Sequence, residues 1–161
     1  MNQLPEILVV DDNPADVTLV CESLAETRYR HCVRSVSDAA GALQYLKRAG
    51  KYASMVRPGL VILDLNLPRT RGHEVLAVLK AEASLCPIPV VVFSSSTAPS
   101  DVTLSYELGA NCYVIKPGNL KGFIAAVRSI VDFWFGCACL PQENPVWKER
   151  NERSSYAHPA D

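Results

Sequence analysis

Ile7-Leu8-Val9-Val10-Asp11-Asp12-Asn13-Pro14 is the stretch that decides the fold. Its four apolar residues, rich in β-branched side chains, read as a strand buried on both faces. Two carboxylates end that run. Asn13 is a helix cap, and Pro14 suits the first helical position, where a missing N–H costs nothing. Val17, Val20, Cys21 and Leu24 then recur at the i, i+3, i+4, i+7 spacing of one helix face. Strand, acidic turn and helix follow one another without a spacer.

The same unit returns along the chain. Leu60-Val61-Ile62-Leu63 runs into Asp64, Val90-Val91-Val92-Phe93 into Ser94, and Cys112-Tyr113-Val114-Ile115 into Lys116-Pro117. Residues 31–36 form a shorter second strand. Ser37 is placed to cap a helix whose face is Ala39, Ala42, Leu43 and Leu46. Residues 50–59 form a longer loop, and Gly72 opens a helix carrying Val75, Leu76, Val78 and Leu79. Pro87 and Pro89 bracket the start of the fourth strand. Residues 102–108 make a weaker helix ended by Gly109, and Leu120, Phe123, Ile124, Val127, Ile130, Val131 and Trp134 mark a last one.

Alternation of this kind is an α/β pattern, (βα)5. It predicts a flavodoxin-like doubly wound parallel sheet of strand order 2-1-3-4-5 with helices on both faces. That order sets Asp11 and Asp12 beside Asp64 and brings Ser94 and Lys116 alongside, all at the carboxyl edge where such sheets bind ligands. Three carboxylates, a hydroxyl and an ammonium suit an aspartate that accepts a phosphoryl group with the help of a divalent cation.

A length of 161 residues allows one domain, and 48% hydrophobic with 20% charged residues is a globular composition. A net charge of −1 and the lack of a basic stripe argue against nucleic acid and anionic membranes as partners. No signal-peptide pattern and no membrane-length apolar run is present, so a cytoplasmic protein is expected. The helical pattern stops after Phe135. Residues 1–135 are therefore expected to form the domain. Residues 136–161, with Pro141, Pro145 and Pro159, are expected to form an arm or tail with no effector domain. Among the six cysteines, Cys21, Cys32, Cys86 and Cys112 read as small hydrophobes, and Cys137 and Cys139 have no second pair to complete a zinc site. His31, His73 and His158 share no metal-binding spacing.

Taken together, Val10-Asp11-Asp12, Leu63-Asp64-Leu65-Asn66-Leu67-Pro68, Phe93-Ser94-Ser95 and Gly109-Ala110-Asn111-Cys112-Tyr113-Val114-Ile115-Lys116-Pro117 resemble the receiver domain of two-component response regulators. The resemblance covers residues 6–135. It implies that Asp64 accepts a phosphoryl group from a histidine kinase. Asp11, Asp12, Asp64 and the backbone carbonyl of Asn66 would hold Mg2+. Lys116 and Ser94 would bind phosphoryl oxygens, with serine standing where threonine is commoner in the family. Tyr113 matches an aromatic switch position, and Lys116–Pro117 matches a site with a cis peptide. Such a protein catalyses only its own phosphorylation and dephosphorylation.

Asp11-Asp12-Asn13-Pro14-Ala15-Asp16, the loop at 50–59, Asn111-Cys112-Tyr113, and Asp132-Phe133-Trp134 followed by Leu140-Pro141 resemble single-domain regulators paired with phytochrome-type histidine kinases. Two alternatives stand beside this. One is an aspartyl-nucleophile, Mg2+-dependent phosphatase of the haloacid dehalogenase type, which usually carries its D-x-D motif on the first strand. The other is a degenerate receiver used as a scaffold, which the filled acidic, hydroxyl and lysine positions oppose. Finally, Ile130, Val131, Phe133, Trp134 and Phe135 exceed what one inward helix stripe can bury, and Leu140, Val146 and Trp147 add apolar groups beyond it. A homodimer through the last helix and the arm is therefore expected.

Overall fold

The computed structural model describes residues 4–142. Strands β1 (Glu6–Val10), β2 (Cys32–Val36), β3 (Leu60–Leu63), β4 (Val90–Ser94) and β5 (Cys112–Ile115) alternate with helices α1 (Pro14–Ala25), α2 (Ala39–Leu46), α3 (Gly72–Ala81), α4 (Pro99–Glu107) and α5 (Leu120–Gly136). The sheet order is β2-β1-β3-β4-β5, and every pairing is parallel. The flavodoxin-like expectation is met in each strand.

Successive side chains of a strand point to opposite faces, and this divides the core in two. Leu8, Val10, Val61, Leu63, Val90 and Val92 pack with α2 and α3 through Ala42, Leu46, Val75, Leu76 and Leu79. Ile7, Val9, Leu60, Ile62, Val91 and Phe93 pack with α1 and α5 through Val20, Leu24, Phe123, Val127 and Val131. Each of these large side chains contributes about 1.5–3 kcal/mol when fully buried. Register then aligns the carboxyl edge. Val10 pairs with Leu63, and the backbone carries on one residue further, with the Asp64 N–H donating to the Val10 carbonyl at 2.8 Å and that of Lys116 to the Ser94 carbonyl at 2.8 Å.

The opposite side of the sheet is pinned by Lys80. Its ammonium donates to the carbonyls of Cys86 (3.0 Å) and Ile88 (2.8 Å) and to Asn111 Oδ1 (3.2 Å), and the Val90 N–H donates to that same amide oxygen at 2.9 Å. Gly109, at φ 97°, lets the chain turn from α4 beneath the Lys80 side chain.

Several local expectations are corrected. Asp38, not Ser37, caps α2, accepting from the Gly41 N–H at 2.6 Å. Tyr45 joins the buried face of α2 because its hydroxyl donates to the buried Glu6 carboxylate at the start of β1. Helix α4 begins earlier than residue 102, at Pro99, and buries only Ser105, which explains its faint apolar pattern. Cys32 and Cys86 are exposed, Cys32 on an edge strand and Cys86 in the approach to β4; all six thiols are free. Lys116–Pro117 is trans, as is every peptide bond among the described residues. The trans form is the intrinsically favoured one by about 0.5–1 kcal/mol, and from it Lys116 already reaches the site.

The apolar end of α5 is partly accounted for within the chain. Ile130 and Val131 are buried, Trp134 and Phe135 are half-buried, and Phe135 lies against Tyr29 and His31 at centroid distances of 6.3 and 6.1 Å. Phe133 remains 53% exposed. Leu140 packs back over Gly59, its Cδ1 3.5 Å from where a Cβ would stand. Val146 and Trp147 lie outside the described residues. Among those residues, no helix is long and apolar enough to cross a membrane.

Gly72 couples the fold to its edge. Its N–H donates to the Leu65 carbonyl at 2.9 Å, and a Cβ there would overlap the Asp64 carbonyl and stand 2.8 Å from Leu65 Cα. Gly72→Ala should therefore destabilise the protein by about 1–3 kcal/mol, despite the better helix propensity of alanine. Urea denaturation checks this, and an unchanged midpoint would mean that the turn after β3 yields freely.

Candidate functional site

Oxygens of Asp11, Asp12 and Asp64 all come within 4.8 Å of one another at the carboxyl edge. Asp11 and Asp64 are each 5% exposed, whereas Asp12 faces solvent. Each buried carboxylate has one oxygen tied to the backbone just beyond it. Asp11 Oδ1 accepts from the Asn13 N–H at 2.9 Å, and Asp64 Oδ1 accepts from the Asn66 N–H at 3.0 Å. The other oxygen of each accepts from the Lys116 ammonium at 2.7 Å. Asp16 supplies a third carboxylate to the same nitrogen, at 2.8 Å. The ammonium also stands 5.8 Å from the centre of the Phe93 ring, within cation–π range.

Burial alone would push the Lys116 ammonium down, but its hydrogen bonds to Asp11, Asp16 and Asp64 outweigh that and hold it above its ordinary value. Burial pushes the Asp11 carboxyl up, against the pull of Lys116 and the Asn13 N–H. Two carboxylates about 4 Å apart repel by roughly 4 kcal/mol at an effective dielectric near 20. Four carboxylates around one ammonium leave excess negative charge on hard oxygen donors. That donor set fits a hard divalent cation such as Mg2+.

Ser94 and Tyr113 belong to a second, linked cluster. Ser94 is fully buried at the end of β4, and its Oγ accepts from the Ser96 N–H at 3.3 Å. The Tyr113 hydroxyl donates to the Ser96 carbonyl at 2.9 Å. Ser96 Oγ donates to Asp101 at 2.6 Å, and Arg71 pairs with the other oxygen of Asp101 at 2.8 Å. The segment after β4 is thus held between β5, α4 and the start of α3. Asn66 is exposed, and its side-chain amide reaches Ser95 Oγ at 3.4 Å.

The structure therefore gathers Asp11, Asp12, Asp64 and Lys116 directly, and joins Ser94 to Tyr113 through Ser96. Sequence reasoning missed Asp16 and the Ser96–Asp101–Arg71 chain. Asp16 had a signal: with Asn13 as cap it falls in the first helical turn, at the same edge as the acidic pair.

The model of the response regulator receiver domain family matches residues 7–128. The chain belongs to that family. It is 42% identical over 135 residues to the response regulator Rcp1 of Synechocystis sp., a match covering 84% of this chain and 92% of that one. The crystal structure of the phosphorylated cyanobacterial phytochrome response regulator RcpA superimposes with a TM-score of 0.84 at 43% identity, over 87% of this chain and 100% of that one. The Mn2+-bound form of Rcp1 gives a TM-score of 0.83 at 41% identity, over 86% and 99% of the two chains. The receiver is thus a two-component signalling protein whose acidic cluster, Asp11, Asp12 and Asp64, suits a divalent cation. The dehalogenase-type alternative falls away with the family and with the site's third-strand aspartate.

Lys116 is the countercharge of this acidic edge, with a side chain only 7% exposed. Lys116→Ala should lower metal-free stability by about 3–5 kcal/mol, the usual cost of leaving a buried charge unpaired. Added Mg2+ should restore more stability in this variant than in the parent, since the cation then supplies the missing charge. Thermal denaturation with and without Mg2+ measures both effects.

Proposed function

We propose that this receiver takes a phosphoryl group from a phytochrome-type histidine kinase onto Asp64 and thereby switches a protein-interaction surface. The observation that carries the reading is the Lys116 ammonium bridging Asp11 and Asp64, 2.7 Å from each, beside the solvent-facing Asp12. Asp11, Asp12, Asp64 and the Asn66 backbone carbonyl would hold Mg2+. When bound, the cation neutralises charge on the phosphoryl oxygens. The Asp64 carboxylate is the nucleophile. Its orientation is set beforehand by the Asn66 N–H and Lys116. Lys116 then binds one phosphoryl oxygen and the Ser94 hydroxyl another.

Movement of Ser94 would pull on Ser96, whose N–H it accepts and whose carbonyl anchors Tyr113. Tyr113 would lose that anchor and turn inward. The change would reach the face of α4, β5 and α5, where Leu104, Tyr106, Ile115 and Leu120 are exposed. In this reading residues 1–135 act as the receiver and 136–161 as an arm. The protein works in the cytoplasm, binds no nucleic acid, and performs no chemistry beyond its own phosphorylation and dephosphorylation. The similarity to Rcp1 and RcpA supports the phytochrome-type kinase as partner.

Acetyl phosphate with Mg2+ should add one phosphoryl group by mass spectrometry, and Asp64→Asn should abolish it. A parent that takes no label would instead be the scaffold. Phosphotransfer from a panel of histidine kinases should be fastest from the phytochrome type.

The receiver would also pair with a second copy through α5 and the arm, a reading supported by the exposed Phe133. A specific dimer needs at least about 1,200 Å² of buried surface in total. Truncation after Phe135 should shift the protein toward monomer in sedimentation. An unchanged dimer would take the arm out of the interface.

A further inference from the structure

The Lys116 ammonium has three N–H donors and meets a carboxylate oxygen with each, at 2.7 Å from Asp11, 2.8 Å from Asp16 and 2.7 Å from Asp64. Two of those partners change in the reaction proposed above. Asp11 would turn its charge to the cation, and Asp64 would become an acyl phosphate whose carboxyl group is no longer an anion. Asp16 does neither. Its place is fixed independently of the site by the capping of α1: the Asn13 side chain accepts from the backbone N–H groups of Ala15 at 3.0 Å and Asp16 at 3.3 Å, and Pro14 starts the helix. Val20 and Leu24, both buried, dock α1 against the sheet.

An acid in the first turn of a helix is ordinarily placed for the helix dipole. That role would be served by an oxygen in solvent. Asp16 instead reaches a nearly buried ammonium 100 residues away in the chain, and its own side chain is 23% exposed.

We propose that Asp16 is a positioning residue for phosphoryl transfer. It keeps one N–H of Lys116 engaged while Asp11 and Asp64 exchange theirs, so that the freed donors point at the phosphoryl oxygens. A lysine stem has four rotatable carbons and finds its geometry only through its partners. With Asp16 gone, the ammonium would lose its one constant carboxylate partner at the moment the other two are withdrawn, and keep only the non-directional contact with the Phe93 ring. The inference rests on Asp64 being the phosphoacceptor.

The test compares the full chain with Asp16→Ala, the isosteric Asp16→Asn and the charge-retaining Asp16→Glu. The rate of Asp64 phosphorylation by acetyl phosphate is measured at saturating Mg2+, and the Mg2+ Kd is measured separately by calorimetry. Loss of an orienting outer partner typically costs 10- to 100-fold, so Asp16→Ala should lower the saturated rate by about tenfold. Asp16→Asn should fall in the same direction, Asp16→Glu should recover most of the rate, and the Mg2+ Kd should move much less than the rate. In the Mg2+–beryllofluoride complex, the 15N signal of the Lys116 ammonium should be sharp in the parent and broadened in Asp16→Ala.

A saturated rate that is unchanged or raised, or an equally sharp ammonium signal, would overturn the positioning role. So would a loss confined to the Mg2+ Kd, which would make Asp16 a background charge. A parent that takes no phosphoryl group at all would overturn the phosphoacceptor reading and this inference with it, an outcome distinct from a labelled parent with indifferent variants.

Discussion

A single buried ammonium holds the functional edge together. The strand order of this sheet forces carboxylates from β1 and β3 into neighbouring positions, and both are almost fully removed from water. Left alone they would repel each other. Lys116 prevents this from the end of β5, reaching back across β4 to the two central strands. The acidic edge is closed on its own lysine, which bonds Asp11, Asp16 and Asp64 at once.

The backbone explains why so few residues suffice. Asp11 and Asp64 each use one oxygen on an N–H two residues further on, so their orientation is set by the turns that leave the strands. Gly72 allows the start of α3 to pass close over Asp64 and Leu65, which keeps the turn after β3 tight. Ser94 connects to Tyr113 through backbone groups of Ser96, two residues further along the chain. The Arg71–Asp101 pair closes the same loop from outside, and with the Arg71 side chain 62% exposed it is a weak restraint.

Much of this is legible in the sequence. The four apolar runs and their polar ends are local patterns, and the strand order follows from connection rules. Asp11, Asp12, Asp64 and Lys116 therefore converge as expected. What escaped notice was set by tertiary contact. The Tyr45–Glu6 bond joins α2 to the first residue of β1, and nothing near either residue announces it. Helix α4 covers little core and leaves no clear apolar period. Cys32 sits in an apolar segment, but its strand is at the sheet's edge, so the side chain is exposed. Asp16 reads as an ordinary first-turn acid until β5 brings Lys116 beside it. Nothing in the residues around Lys116–Pro117 favours the cis form that the resemblance implies, and the bond is trans.

Lys80 gives the molecule a mechanical asymmetry. Its three bonds clamp the approach to β4 and the start of β5 at the amino-terminal side of the sheet, with Asn111 locked to Val90 in the same knot. The loops at the other side, after β4, are held by exposed or half-exposed serine and aspartate contacts. A pull applied at the end of β4 therefore acts on a lever whose far end is clamped. Sliding of β4 against β5 is resisted at that end, and the more compliant direction is the α4 side, where only Ser105 is buried.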